Sequence, residues 1–193
     1  MSRHATEERA TKETRISAEV ELDGTGRADI DVPLPFFRHM LESFVRFSGM
    51  DVSLHGEGDI EVDSHHLVED CGLVLGTALS RALGDRAGIR RFGHAYAPLD
   101  ESLVRCVLDF SNRPQLEWEM RALEGRVNDF DVAVLHEFVR GLVQTAGISL
   151  HVDLLRGSSL HHMAEAAFKA LGLATRDALQ LTGGGVPSTK GVL

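Results

Sequence analysis

Two short stretches gather side chains of types and spacing that can do chemistry. DSHHLVED at residues 63–70 and SSLHHMAEA at 158–166 each contain His-His-x-x-Glu. If these are helical, His65 and Glu69 share a face, as do His161 and Glu165, because four residues make about one turn. Each pair can then converge on a cation. His66 and His162 are also near those glutamates, three residues away, but adjacent side chains diverge by about 100° around a helix of about 3.6 residues per turn. Two neighbouring imidazoles therefore do not easily serve one ion. Two ions resolve the conflict, each held by a His and a Glu of one helix while the second His reaches elsewhere. Imidazole with carboxylate suits Mn, Fe, Co, Ni or Zn. The order differs from the His-Glu-x-x-His of zinc peptidases, so peptide hydrolysis gains no support.

The elements that must position these groups are legible in the periodicity. TRISAEVELDG (14–24) and GRADIDV (26–32) alternate polar and apolar residues and predict a hairpin or meander. FFRHMLESFVRFSG (36–49) has helical spacing and ends at Gly49; DVSLHGEG (51–58) predicts a strand. Asp63 or Ser64 then caps an amphipathic helix from His65 to about Leu83, closed by Gly84. The order recurs, with strands at 101–110 and 115–120, a helix at 131–147, a strand at 148–155 and a helix at 161–179.

The two copies are in register. Ser53-Leu54-His55 returns as Ser149-Leu150-His151, and His65, His66 and Glu69 return as His161, His162 and Glu165, all 96 positions on. The expected fold is α+β: a tandem duplication of a ββαβα half, with sheets backed by helices and the halves related by a pseudo-twofold. The first repeat is expected at 1–93, the second at 94–181 and a tail at 182–193, all within one compact domain.

A net charge of −9 makes a nucleic-acid surface a poor fit, while leaving room for a local basic pocket. Arg90, Arg91 and Arg113 are candidates for it, as are Ser188, Thr189 and Lys190 after a glycine run, because phosphate recognition uses such cations and hydroxyls. Cys71 and Cys106 lack CxxC spacing and predict buried thiols in a reducing compartment. The polar N-terminal stretch has no apolar signal core and no 18-residue apolar run occurs. A soluble cytoplasmic protein with neither membrane nor nucleic-acid partner is expected.

ATKETRISAEVELDGTGRADID, FFRHMLESF, DSHHLVEDCGLVLGTAL, RAGIRRFGHAYAPLDESL, LDFSNRP, GSSLHHMAEAAFKAL and VPSTKGVL occur in that order. Together they resemble the imidazoleglycerol-phosphate dehydratase family over essentially the whole chain. The resemblance implies a metal-dependent hydro-lyase of histidine biosynthesis that converts imidazole glycerol phosphate to imidazole acetol phosphate. It implies two Mn(II) ions per subunit, a homo-oligomer of trimers forming a 24-subunit shell, and active sites at subunit contacts. The implied metal positions are His39, His65, His66, Glu69, His161, His162 and Glu165, plus one from the second-half helix, either Glu137 or His136. The implied catalytic groups are Glu13, His65, Glu69, His161 and Glu165. Glu13, His39, Arg91, Arg113, Lys169, Ser188, Thr189 and Lys190 match substrate positions.

Three positions depart from the family pattern. Arg38 stands where Asp is usual, Phe47 where a second His is usual, and His136-Glu137-Phe138 where Glu-His-Phe is usual. Glu137 precedes Gly147 by ten residues, as His39 precedes Gly49, which favours Glu137 as the ligand with His136 as the alternative. Two other functions stay open at this stage: a metal-assembled homologue with reduced or no dehydratase activity, and a metal-dependent hydrolase of small phosphate esters.

Overall fold

The structure, a computed structural model, describes residues 3–191. The first half runs β1 (His4–Ala10), β2 (Thr14–Glu21), β3 (Ala28–Asp31), α1 (Pro35–Ser48), β4 (Asp51–Gly58) and α2 (His65–Leu83). The second half runs β5 (Phe92–Leu99), β6 (Ser102–Asp109) and β7 (Gln115–Glu119), then a small hairpin of β8 (Arg126–Val127) and β9 (Phe130–Asp131). A 3-10 turn, Val132–Val134, leads to α3 (Leu135–Ala146), β10 (Ser149–Arg156) and α4 (Leu160–Leu179).

The alternation in β2 buries Thr14, Ile16, Ala18 and Val20 and leaves Arg15 and Glu19 exposed; β6 likewise buries Ser102, Val104, Cys106 and Leu108. Side chains two apart line one face of a strand, so each sheet has one face for the core. The sheets have matching orders, β1-β2-β4-β3 and β5-β6-β10-β7. The α+β duplication therefore stands, with one more strand leading each half than the periodicity indicated. β1 escaped notice because it is an edge strand with no buried residue, and β5 because it buries only Gly93 and Ala97.

The expected hairpin between the second and third strands is corrected by the pairing. β2 pairs antiparallel with β4, and β3 pairs parallel with the other edge of β4. Parallel neighbours need a crossover, and α1 supplies it between β3 and β4. The Asp51 carboxylate at the start of β4 accepts from the backbone N–H of Thr25 at 2.7 Å and of Arg27 at 2.9 Å. Those bonds hold the β2–β3 connection across the end of β4.

The helices pack crosswise. α2 lies on β1, β2 and β4, and α4 on β5 and β6, while α2 pairs with α3 and α1 with α4. Exchanging the halves maps one pairing onto the other, as a pseudo-twofold requires. Close approach explains several helix glycines: a Cβ at Gly72 would collide with the Phe138 carbonyl, and one at Gly172 would lie 2.6 Å from the Phe44 carbonyl. Phe37, Phe44, Phe110, Phe138 and Phe168 are fully buried in one continuous core drawn from both halves. Phe138 bridges them, with ring centroids 5.4 Å from Phe37 and 5.7 Å from Phe168. Among the described residues no helix is long and apolar enough to cross a membrane.

Candidate metal centres and anion cleft

Crosswise packing is what builds the clusters, because each draws on helices from both halves. His39 of α1 meets His161 and Glu165 of α4, and Glu137 of α3 meets His65 and Glu69 of α2. In each group the candidate ligand atoms lie within 4.8 Å of one another. Glu165 Oε2 is 3.1 Å from His161 Nε2 and 3.4 Å from His39 Nε2. Glu69 Oε2 is 3.7 Å from His65 Nε2. Imidazole nitrogens facing carboxylate oxygens at this spacing are a donor set that a divalent ion can use.

α1 and α3 end at equivalent glycines in the left-handed region, Gly49 at φ 76° and Gly147 at φ 67°. The ten-residue count back from each places Glu137 where His39 stands, and Glu137 is the residue that joins the cluster. His136 does not join it: its Nδ1 donates to Glu137 Oε1 at 3.0 Å, and its ring lies edge-on to Trp118 at 5.9 Å.

One cation accompanies each cluster. Arg140 Nη2 donates to Glu69 Oε1 at 2.7 Å and its Nε to Glu137 Oε2 at 2.7 Å. Lys169 Nζ lies 2.9 Å from Glu165 Oε1 and 5.6 Å from the centre of the Phe47 ring. Burial pushes the Glu137 carboxyl up, but hydrogen bonds from His136 and Arg140 outweigh it and hold the pKa below its usual value. Burial is likewise outweighed at Glu165, by Lys169 and His39. Both carboxylates are therefore ionised at neutral pH. The sequence reading did not single out Arg140, although its place three residues after Glu137 put it on the same helix face.

His66 and His162 lie outside both clusters and are oriented by other acids. His66 Nδ1 donates to Asp59 at 3.2 Å, and Glu13 Oε2 is 3.9 Å from it. His162 Nδ1 donates to Glu101 Oε2 at 2.7 Å, and Glu101 also accepts from the backbone N–H of Ser158 and Ser159. Hydrogen bonds to Asp59 and Glu101 raise the pKa of His66 and His162, and the bond from His162 lowers that of Glu101. A ring whose Nδ1–H is donated to a carboxylate keeps Nε2 available as a ligand. Glu13 and Glu101 are equivalent by position, each directly preceding the matched strands β2 and β6. Asp59, in the loop after β4, carried no sequence signal.

The anion candidates meet elsewhere. Arg91, Ser111, Arg113, Pro187, Ser188, Thr189 and Lys190 line a cleft of about 580 Å³ that includes none of the clustered ligands. Arg91 grips Asp109 with two bonds, at 2.6 and 2.9 Å, and donates to the Pro187 carbonyl at 2.8 Å, so it docks the tail against β6. Gly88 N–H to the Gly185 carbonyl and Thr182 N–H to the Gly88 carbonyl tie the tail further. Arg90, by contrast, turns to Asp177. Cys71 and Cys106 are buried free thiols, and burial raises the pKa of both.

Fold and clusters together define a duplicated α+β protein whose paired imidazole–carboxylate groups are assembled from crossed helices of its two halves. The imidazoleglycerol-phosphate dehydratase family model matches residues 32–175. The imidazoleglycerol-phosphate dehydratase of Bordetella petrii is 52% identical over 188 residues, 96% of each chain. That of Pseudomonas fluorescens strain Pf-5 is 48% identical over 194 residues, covering 99% of this chain and 98% of its own. The crystal structure of the Staphylococcus aureus imidazoleglycerol-phosphate dehydratase superposes with a TM-score of 0.84 at 33% identity, over 93% of this chain and 99% of that one. The Pyrococcus furiosus structure, solved with (S)-C348, gives 0.84 at 37% identity, over 96% and 99%. The chain belongs to the imidazoleglycerol-phosphate dehydratase family, whose name is that of a hydro-lyase.

Proposed function

We propose that this protein removes water from imidazole glycerol phosphate to give imidazole acetol phosphate, a step of histidine biosynthesis in the cytoplasm. The observation that carries this reading is the pair of equivalent imidazole–carboxylate clusters within a chain that also holds a cationic cleft. Two Mn(II) ions per subunit fit the donors, one at His39, His161 and Glu165 and one at His65, Glu69 and Glu137. His66 and His162, whose Nδ1 atoms are already committed, offer Nε2 to ions of neighbouring subunits. The same need for donors from another chain supports a homo-oligomer of trimers building a 24-subunit shell.

Bound metal would act as a Lewis acid toward the imidazole ring of the substrate. Arg113, Ser188, Thr189 and Lys190 hold the phosphate in the cleft, with Arg91 fixing the tail that carries three of them. Lys169, beside His39 and Glu165, faces the remaining polar atoms of the substrate. Anchoring the phosphate sets the orientation of the ring relative to the clusters, which is how binding at one end accelerates chemistry at the other. Glu13 moves the proton: the substrate loses its hydroxyl as water and a neighbouring C–H proton, leaving an enol that tautomerises to the ketone.

Incubating the pure protein with Mn(II) and imidazole glycerol phosphate tests the reading, and formation of an enolisable ketone with phosphate retained is expected. Metal uptake without ketone would instead mark a metal-assembled homologue lacking turnover, and release of inorganic phosphate would mark an ester hydrolase.

A further inference from the structure

The two clusters occupy equivalent places in the halves, yet their donors differ. The α1–α4 cluster offers two imidazoles and one carboxylate; the α2–α3 cluster offers one imidazole and two carboxylates. The whole difference lies at one position, where His39 of α1 is answered by Glu137 of α3, each ten residues before its helix-ending glycine. The accompanying cations also break the symmetry. Arg140 bridges Glu69 and Glu137, whereas Glu42 stands at its equivalent place on α1; Lys169 serves Glu165, whereas Leu73 stands at its equivalent place on α2.

Oxygen-rich sites favour hard ions such as Mn(II) and Mg(II), and nitrogen-rich sites favour borderline ions such as Co(II) and Zn(II). We propose that Glu137 makes the two centres of this protein chemically unequal, the α2–α3 centre retaining Mn(II) while the α1–α4 centre exchanges it readily for Co(II) or Zn(II). This rests on the reading that both clusters bind divalent ions. Charge reinforces the contrast. With the histidines neutral, the α2–α3 ligands carry two negative charges beside one guanidinium, and the α1–α4 ligands one negative charge beside one ammonium. Arg140 and Lys169 each hold one oxygen of Glu69 and Glu165 and leave the oxygen facing the imidazole for the ion. Glu137 differs from them: His136 holds its Oε1 and Arg140 its Oε2, so an ion at the α2–α3 centre takes a second lone pair of an oxygen that is already hydrogen-bonded.

Competition between metals tests the inference on the full-length protein in its native assembly. Mn(II)-loaded protein is titrated with Co(II), with free Mn(II) followed by electron paramagnetic resonance, bound Co(II) by its visible absorption and total metal by mass spectrometry. One Mn(II) per chain is expected to leave at a Co(II) concentration about tenfold or more below that needed for the other. Glu137→His is expected to bring the two midpoints together at the lower concentration. The reciprocal His39→Glu is expected to bring them together at the higher one, and it decides the matter should the first variant fold poorly. Release of both Mn(II) ions at one midpoint in the unsubstituted protein, or an unchanged gap in the folded variants, would overturn the inference. Failure to take up any metal would overturn the reading of the clusters on which it stands.

Discussion

At Glu13 the carboxylate stands 3.9 Å from the Nδ1 of His66, a ring that Asp59 already orients from 3.2 Å. Glu13 is thus free of a positioning duty and available to carry a proton. Glu13→Gln is expected to lower kcat by about 10²–10⁴-fold, the usual loss on removing a general acid–base group, with metal content unchanged. Steady-state kinetics beside metal analysis check this, and unchanged turnover would remove Glu13 from the role. Arg91 belongs to the same scale. Arg91→Lys keeps the charge but not the fork that binds Asp109 and Pro187 together. We expect KM to rise about tenfold with kcat nearly preserved, because uniform binding is what is lost. The pairs His65–Glu69 and His161–Glu165 were legible from a spacing of four, whereas His39 came from the family resemblance and Glu137 from matching it by the ten-residue count to Gly49 and Gly147. Asp59 was not legible, because a loop acid has no periodicity to mark it.

Elements meet here through backbone contacts that side-chain patterns do not record. Gly72 lets α2 rest on the Phe138 carbonyl of α3. Gly72→Ala must force these helices apart, and a loss of about 1–3 kcal/mol is expected in denaturant unfolding, as for other overpacked cores. Because α2 and α3 also carry the second cluster, the same variant should weaken metal uptake there. Asp51 governs another junction, between the β2–β3 connection and the start of β4. Its carboxyl pKa is lowered, chiefly by the backbone N–H groups of Thr25 and Arg27, against a smaller opposing effect of burial. A lowered pKa means that the folded state prefers the ionised form. The stabilisation is thus present above the ordinary carboxylate range and fades as pH falls through the folded pKa. Asp51→Asn is expected to cost about 1–3 kcal/mol at neutral pH. The gap to the parent protein should narrow below about pH 4. Equal acid sensitivity in both proteins would exclude Asp51 as the group responsible.

Across the whole molecule, the decisive feature is that neither half builds a cluster alone. Helices cross between halves, and in the proposed function the same logic extends to neighbouring chains through Nε2 of His66 and His162, two rings outside both clusters. Chelation should therefore loosen the assembly as well as stop turnover. Light scattering of chelator-treated protein is expected to show smaller particles, with the original size restored by Mn(II). An assembly indifferent to chelation would confine each ion to its own chain.

From the amino-acid sequence alone came the duplication, the helices, the glycine ends of α1, α2 and α3, and the donor pairs His65–Glu69 and His161–Glu165, while His39 and Glu137 came through the family resemblance. All but the last two follow from short-range periodicity and from identical spacing in the two copies. Tertiary structure decided which strands pair, which helices cross, and that His39 faces Glu165 while Glu137 faces Glu69. Those are contacts between distant segments, set by the shared core and the crossover of α1, and no local pattern specifies a partner.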